Sequence, residues 1–260
     1  MSGPGPAESA GELEDLVANL FGFYSTWSLS FAASQVLPSP EIVLIDSGTM
    51  ADELNIAFLD GAQDVASSVA RAAQFFQSRS KPWRIEAPLS RQNAIDPAAA
   101  AIGLRKKRTR PGFVLVPEEL RGGPPSPDLS IEVVDTAAKA AAFLRTLVDG
   151  NSGSHVLDLP AVARYVHPEM IWYLGSVAGE PVATAILYAH RKVAGIYAVA
   201  TVERARRRGY GRAITEKAVR DGFALGCSRS FLQSSTIGRP VYEAMGYHWS
   251  FDRAVWTLGD

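Results

Sequence analysis

The feature that most constrains this chain is an apolar run that leads through a glycine- and arginine-rich turn into a helix-forming segment. The run covers 195–202, the turn is Arg206-Arg-Arg-Gly-Tyr-Gly211, and the helix is predicted over 212–225. Backbone N–H groups at a helix N-terminus lack partners, and the helix dipole adds roughly half a positive charge. Gly209 and Gly211 let a ligand approach the backbone closely. The pattern predicts an anion site, suited to a pyrophosphate, and its alternative is a solvated basic turn.

Composition limits the classes of protein to which the chain can belong. It has 260 residues, of which 47% are hydrophobic and 20% charged, as in soluble globular proteins, with room for one large domain or two ordinary ones. The formal net charge of −1 gives no reason to expect a nucleic-acid partner. The one cysteine, Cys227, excludes an intrachain disulfide and is expected to be a plain buried residue.

The sequence also predicts a location. No apolar run approaches the roughly 18 residues that a membrane span requires, so no membrane partner is expected. The N-terminal stretch carries Glu8, Glu12, Glu14 and Asp15 in place of a basic region, which argues against a signal peptide. With a single cysteine, these features favour the cytoplasm.

Hydrophobic periodicity predicts alternating helices and strands on both sides of one clear break. Before the break, we predict helices over 8–31, 64–78 and 92–101 and strands over 41–45, 54–59, 83–87 and 112–116. After it, we predict helices over 136–148, 160–166, 212–225 and 238–245, strands over 129–134, 171–174, 181–188, 195–202 and 228–234, and one or two closing strands over 248–258. The order predicts an α/β fold around a mixed sheet.

The break is the segment 120–128, in which paired glycines and three prolines cannot continue regular structure. It suggests a division into a disordered lead-in (1–7), an N-terminal α/β domain (8–120), a linker (121–128) and a C-terminal domain (129–260).

Two separated stretches carry a family resemblance. The spacing Arg206-x-x-Gly209-x-Gly211 resembles the acyl-CoA loop of the GNAT (N-acetyltransferase) superfamily, and the preceding run 194–201 resembles its fourth strand. The stretch from Leu232 to Tyr247 resembles the family's closing strand and helix, which end in Tyr-x-x-x-Gly-Phe/Tyr. The resemblance covers 128–260 and implies a GNAT fold, a mixed and mostly antiparallel sheet flanked by helices.

The first half faintly repeats the second. Residues 72–104 and 219–247 both follow the order helix, strand, helix, and each stretch precedes a further strand. We therefore predict a degenerate GNAT-like N-terminal half, as in tandem members, although any two α/β segments share some likeness. Its segment 59–65 has one glycine, two aspartates and no arginine, so no CoA site is expected there. The basic run 105–110 is interpreted as a solvated turn rather than an anion site.

The resemblance assigns roles at the donor site. It implies that the backbone of Val199, Ala200 and Thr201 pairs with the pantetheine arm, and that an N–H near Val199 polarises the thioester carbonyl. Amides of 207–212 would hold the pyrophosphate, assisted by the arginine charges. The predicted cofactor-binding residues are Val199, Ala200, Thr201, Arg206, Arg207, Arg208, Gly209, Tyr210, Gly211, Arg212 and Ser235, the last being a contact to CoA or a helix cap.

Tyr242 occupies the position of the tyrosine that serves many members as general acid. A phenol with a pKa near 10 suits protonation of a departing thiolate, and the alternative is a packing role. Where some members carry a glutamate early on the fourth strand, this chain has Gly195, so no general base is assigned. The four histidines and one cysteine show no metal-ligand spacing, and no metal is expected.

The resulting prediction is a cytoplasmic acetyl-CoA-dependent N-acetyltransferase that acts on a small-molecule amine by direct transfer in a ternary complex. Two alternatives are a GNAT enzyme that uses another acyl-CoA and a non-catalytic acyl-CoA sensor or interaction protein. The missing strand carboxylate favours the sensor, and Tyr242 argues against it. The sequence names neither the acceptor nor the oligomeric state.

Overall fold

The protein is seen in a computed structural model that describes residues 9–31, 33–124, 126–151 and 169–258. The predicted lead-in and the predicted helix near 160–166 lie outside these residues. The helices are α1 (Ala10–Ser28), α2 (Val65–Gln77), α3 (Gln92–Ala101), α4 (Ala137–Gly150), α5 (Tyr210–Ala224) and α6 (Arg239–Ala244). The strands are β1 (Gln35–Pro38), β2 (Val43–Asp46), β3 (Ile56–Phe58), β4 (Arg84–Pro88), β5 (Leu104–Leu115), β6 (Leu129–Val133), β7 (Met170–Val177), β8 (Glu180–His190), β9 (Val193–Thr201), β10 (Arg229–Gln233) and β11 (His248–Leu258).

The chain forms two compact units. In terms of described residues, the first unit contains 9–23, 112–124, 126–151 and 169–250, and the second contains 24–31, 33–111 and 251–258. The described residues of the glycine- and proline-rich segment therefore lie inside the first unit. The division into domains at 121–128 stays a prediction, and the compact units follow a different division.

The first unit is a sheet covered on both faces. Its strand order is β6-β7-β8-β9-β10 followed by the last four residues of β5, and all neighbours are antiparallel except β9 and β10. Consecutive residues of β7 show where the helices lie: the Trp172 ring lies 4.8 Å from that of Phe143 on α4, whereas the Tyr173 hydroxyl donates to Asp221 on α5. Because successive side chains of a strand point to opposite faces, α4 and α5 cover opposite faces.

Helix α5 approaches the sheet closely. Its buried residues Tyr210, Ile214, Ala218 and Gly222 recur every four positions and form one face. A Cβ atom at Gly222 would lie 2.4 Å from Ala194 Cβ on β9, so only glycine permits this approach. The close packing fixes the helix N-terminus relative to the end of β9.

The second unit has a smaller sheet with the order β1-β2-β3-β4 followed by Arg253–Trp256 of β11. Its core includes the apolar face of α2, with Val69, Ala72 and Phe76 buried as the periodicity predicted. Trp256 is also buried there, and its indole N–H donates to Asp96 on α3 over 2.7 Å.

The two units repeat one pattern of strand directions. In the second unit β2 and β3 are antiparallel, β3 and β4 are parallel, and β4 meets an antiparallel closing strand; β8, β9 and β10 follow the same order in the first. The closing strands are exchanged: residues 112–115 pair with β10, and residues 253–256 pair with β4. The predicted α/β fold class, with a GNAT-like repeat, is confirmed, but the exchange was not predicted.

Beyond small shifts of element ends, three features differ from the sequence prediction. The interpretation of 105–110 as a turn is wrong, because these residues form the exposed beginning of β5. Strand β1 was not predicted; its four residues are mostly exposed and lack an apolar alternation. Helix α5 begins at Tyr210, two residues early, because the left-handed Gly209 ends the loop there.

Candidate functional site

Strands β9 and β10 separate in the first unit. They are paired only from Val193 to Gly195, which face Arg229 to Phe231. Both strands continue beyond this pairing, β9 by six residues to Thr201 and β10 by two to Gln233. Within the described part of the chain, the end of β9 therefore has a free edge on the β10 side. Such an edge can hydrogen-bond an extended ligand as another strand would.

A β-bulge accompanies the separation. Ile186 and Thr184 of β8 face Tyr197 and Ala200 of β9, so one extra residue is inserted into β9. Ala198 takes a left-handed conformation with φ of 50°, and its carbonyl accepts a 2.8 Å hydrogen bond from the Thr184 hydroxyl. Because a bulge bends its strand, it redirects the backbone at Val199, where the sequence predicted the carbonyl-polarising N–H.

The loop after β9 ends in a helix start that no side chain caps. Arg207 and Gly209 take positive φ values of 60° and 83°, and Gly209 is the capping residue of α5. The first amides of α5, from Tyr210 to Arg212, therefore lack intrahelical acceptors, and no side-chain acceptor for them is seen among the described residues. A Cβ atom at Gly211 would lie 3.0 Å from Thr201 Oγ1, so the helix start lies against the end of β9. These residues fit the phosphates of a CoA-like donor.

The structure separates the four arginines of this loop into two kinds. Arg206 donates to the carbonyls of Thr201 and Gly150, over 3.2 and 2.8 Å. Arg212 donates to Arg121 O at 2.8 Å and to Ala244 O at 3.4 Å, which ties α5 to the end of α6. These two side chains hold the backbone in place. Arg207 and Arg208 are exposed, and Arg208 also lies beside the Tyr210 hydroxyl.

The glycine- and proline-rich segment supports the same helix start. Gly123 N–H donates to Glu216 on α5 over 2.9 Å, and a Cβ atom at Gly123 would lie 2.4 Å from Arg212 Nε. The buried Tyr210 hydroxyl donates to Asp128, which raises the pKa of Tyr210. The Tyr210 side chain is therefore engaged with Asp128, and its backbone N–H is the group of this residue that remains for a ligand. No sequence pattern indicated these contacts, which join residues 82 and 93 positions apart.

Tyr242 lies on α6 with its ring buried against Tyr247, at a centroid distance of 5.9 Å. Its ring and Val199 pack in one core cluster with Tyr210. No described residue hydrogen-bonds its hydroxyl, and burial raises the pKa of Tyr242 to about 12. Ser235 is exposed and accepts from Gly238 N–H over 3.1 Å in the turn before α6, whose capping residue is Gly238.

The position of the family's strand glutamate is closed in this chain. A Cβ atom at Gly195 would lie 2.1 Å from Asn19 Oδ1 and 2.4 Å from Tyr197 Cε2. Asn19 is fixed there, since it accepts from the Tyr197 hydroxyl at 2.7 Å and donates to Val193 O at 2.9 Å. Helix α1 thus fills the space that a carboxylate would need, and sequence analysis missed this contact across 178 positions.

We expect Gly195→Ala to destabilise the protein by about 1–3 kcal/mol, because the new methyl group must displace Asn19 or Tyr197. Urea unfolding measures the change. Gly11→Ala is the control, since nothing lies within 4 Å of a Cβ atom at that position of α1. Equal stability of the two variants would contradict the close packing at Gly195.

Other side chains of the first unit that could accept a proton are His190, Glu243, Glu180 and Glu203. His190 Nδ1 lies 3.5 Å from Glu169, and Glu243 accepts from Arg239 over 2.8 Å. Glu180 and Glu203 are exposed. None is singled out as a base by its geometry. Cys227 is buried as expected, which raises the pKa of its thiol.

The corresponding region of the second unit is closed. Strand β3 is paired with β4 through its last residue, Phe58, and Leu59 N–H donates to Glu86 O beyond it. The N-terminus of α2 is capped by the carboxylate of Asp64, which accepts from Ser67 N–H over 3.0 Å. A capping carboxylate occupies the amides that an anion would need and repels it.

Neither a metal-binding cluster nor a membrane-spanning helix is present among the described residues. Among the residues that the structure describes, no three His, Cys, Asp or Glu side chains group to hold a metal ion. The described helices include none with the length and apolarity to span a membrane.

Comparisons with known proteins agree with this geometry. The model of the acetyltransferase (GNAT) family matches residues 144–247, and a sequence search of curated proteins finds no match. A GCN5-related N-acetyltransferase from Kribbella flavida superposes with a TM-score of 0.71 at 16% identity, covering 95% of this chain and 96% of that one. A GCN5-related N-acetyltransferase-like protein from Streptococcus suis gives 0.57 at 16% identity, covering 95% and 100%. At such identities, the structural likeness establishes the fold.

Proposed function

We propose that this chain, whose residues 144–247 match the model of the acetyltransferase (GNAT) family, transfers acetyl from acetyl-CoA to an amine of a small molecule. The observation that carries the proposal is that the free edge at the end of β9 lies next to the uncapped start of α5. The end of β9 presents backbone groups for an extended arm, and the first amides of α5 face the adjacent loop. Few other ligands combine an amide-bearing arm with a pyrophosphate.

The backbone of this site has two tasks in the proposed reaction. Amides at the start of α5, with the charges of Arg207 and Arg208, hold the phosphates of the donor. The N–H at Val199 polarises the thioester carbonyl, a contribution of roughly 3 kcal/mol by comparison with other oxyanion donors. Val199 lies in the part of β9 that continues beyond its pairing with β10.

Tyr242 completes the transfer. The acceptor nitrogen attacks the thioester carbon, the C–N bond forms and the C–S bond breaks, and the departing sulfur takes the Tyr242 hydroxyl proton. The phenolate then recovers the proton lost by the amine. The hydroxyl is available for this donation because no described side chain accepts it. Direct transfer suits the site, in which no nucleophile stands beside a base.

We expect one donor site per chain. The first unit supplies the free strand edge and the uncapped helix, whereas the second has a paired β3 and the Asp64 cap. Isothermal titration with acetyl-CoA measures the number of sites. Two sites of similar affinity would contradict this expectation.

Gly209→Asp tests the donor loop. We expect acetyl-CoA to bind at least about 100-fold more weakly, because a carboxylate about 4 Å from a phosphate charge costs several kcal/mol near a protein surface. Gly179→Asp is the matched control: both glycines have a φ of 83°, and a Cβ atom at Gly179 meets nothing within 4 Å. Titration of both variants, with circular dichroism to verify folding, decides the result.

If the control and the loop variant bind acetyl-CoA equally, the loop is a basic turn and the proposal fails. A wild-type protein that binds no acyl-CoA would also remove it. Assays with a panel of acyl-CoA donors distinguish acetyl transfer from transfer of a longer chain.

A non-catalytic acyl-CoA sensor is the second candidate, favoured by the closure of the Gly195 position by Asn19. It predicts donor binding without release of CoA. Release of CoA in the presence of any amine from a broad panel eliminates it.

A further inference from the structure

The second unit contains a buried arginine that the protein does not fully satisfy. Arg84, on β4, has no exposed surface. Its Nη2 lies 3.3 Å from the Tyr24 hydroxyl and 3.4 Å from Glu86 Oε2. Its Nε and Nη1 have no hydrogen-bond partner among the described residues. Buried charged donors are normally paired, so these two groups point to something that the chain itself does not supply.

A second guanidinium converges on the same hydroxyl. Arg110 Nη1, on β5, lies 3.2 Å from the Tyr24 hydroxyl, so one oxygen is shared by two cations. Arg110 Nη2 lies 3.8 Å from the Glu53 carboxylate, which Arg108 also contacts at 3.0 Å. Burial, and then the charge of Arg110, lowers the pKa of Arg84.

The carboxylates beside Arg84 are shared with other arginines. Glu86 accepts from Arg253 over 3.0 Å through its other oxygen, and Asp60 is bound by Arg253 as well. Among the described residues, neither carboxylate supplies an acceptor for Arg84 Nε or Nη1. A buried charged donor without an acceptor is unfavourable, and an anion would supply one.

We propose that the second unit binds a small oxyanion, a carboxylate or a phosphate, between Arg84 and Arg110 beside the Tyr24 hydroxyl. Guanidinium groups are the donors that such oxygens prefer. The ligand enters past Arg110, whose side chain is 20% exposed, and reaches a free donor of the wholly buried Arg84. The Nε and Nη1 groups lie on different edges of the guanidinium, so the anion takes one and a water molecule takes the other. The proposal is independent of the proposed acyl transfer.

The test is a thermal unfolding series of the full chain with sodium phosphate, with sodium acetate, and with sodium chloride at matched ionic strength. A ligand that binds only the folded state raises the unfolding midpoint in a saturable way. We expect such a rise with phosphate or acetate and none with chloride, and the two anions distinguish the phosphate from the carboxylate class.

Two variants test whether the anion binds at Arg110. Arg110→Gln should weaken binding of the effective anion by about tenfold or more in isothermal titration, since it removes a charged donor. Arg108→Gln removes the same charge from the neighbouring, more exposed partner of Glu53 and should retain the affinity. Arg110 is chosen over Arg84 because the wholly buried Arg84 also supports folding.

Three outcomes overturn the proposal: no saturable shift with either anion, equal shifts in both variants, or a crystal structure grown with phosphate that shows only water at Arg84 Nε and Nη1. A folded Arg110→Gln variant with lost anion response and intact acetyl-CoA binding supports it. Acetyl-CoA titration of the same sample shows whether the donor site is unaffected, so failure of one proposal leaves the other testable.

Discussion

Replacing Tyr242 by phenylalanine is expected to lower turnover by about 10²–10⁴-fold and to leave the dissociation constant of acetyl-CoA unchanged. A positioned general acid contributes about this much, and the aromatic ring that packs on α6 is retained. Turnover is measured as CoA release with an accepted amine, and affinity by isothermal titration. A loss of turnover without a change in the dissociation constant distinguishes the two roles, because a packing role would change stability and binding together.

The pH dependence follows from the surroundings of the hydroxyl. Burial raises the pKa of Tyr242 from the ordinary 10 to about 12, so the protonated acid persists to a higher pH than that of a free phenol. We therefore expect no descending limb of kcat below about pH 10 that depends on Tyr242. A descending limb of kcat below about pH 10 that is present in the wild type and absent from Tyr242→Phe would contradict the raised pKa of Tyr242.

Tyr247→Phe is the matched control. Tyr247 is buried beside Tyr242, and its hydroxyl lies 2.6 Å from Ser230 Oγ, where it has a structural partner. Removing it should cost stability and spare turnover. If both Tyr242→Phe and Tyr247→Phe retain wild-type turnover, Tyr242 has no part in the reaction.

Local patterns predicted that the segment 206–211 is a loop that leads into a helix. Residues 206–211 lie next to each other in the chain, so glycine spacing and charge alone indicate a loop that opens a helix. The left-handed Gly209 is a consequence that the residue type already suggests. The two kinds of arginine could not be distinguished, because Arg206 and Arg212 bind carbonyls as distant as Gly150 and Arg121.

Contacts between distant parts of the chain account for what was missed. Nothing in the apolar alternation of 112–116 says that its partner is β10 rather than the strand before it. The glycine at position 195 gave no hint that Asn19 fills the space beside it. In both cases the residue types were interpreted correctly, and only the tertiary structure identified their partners.

Replacing Arg253, which lies in the closing strand that pairs with β4, is expected to cause a large loss of stability. Arg253 is wholly buried on β11 and binds Asp60 at 2.6 and 2.7 Å and Glu86 at 3.0 Å. Arg253→Met keeps much of the side-chain length but leaves two carboxylates without this partner, one of them fully buried. We expect a loss of about 3–5 kcal/mol, because removing one member of a buried ion pair leaves an uncompensated charge.

Arg108→Met is the control for this loss. It removes the same group from an exposed pair with Glu53, in which both side chains are more than a third accessible, and should change stability by less than about 1 kcal/mol. Urea unfolding gives the two free energies, and hydrogen exchange locates the loss, which should concentrate in the amides of β4 rather than β9. Residues 253–256 pair antiparallel with β4. Faster hydrogen exchange of the β4 amides in Arg253→Met would therefore show that this pairing stabilises the sheet of the second unit. Equal stability of both variants would mean that the buried network contributes no more than a surface pair.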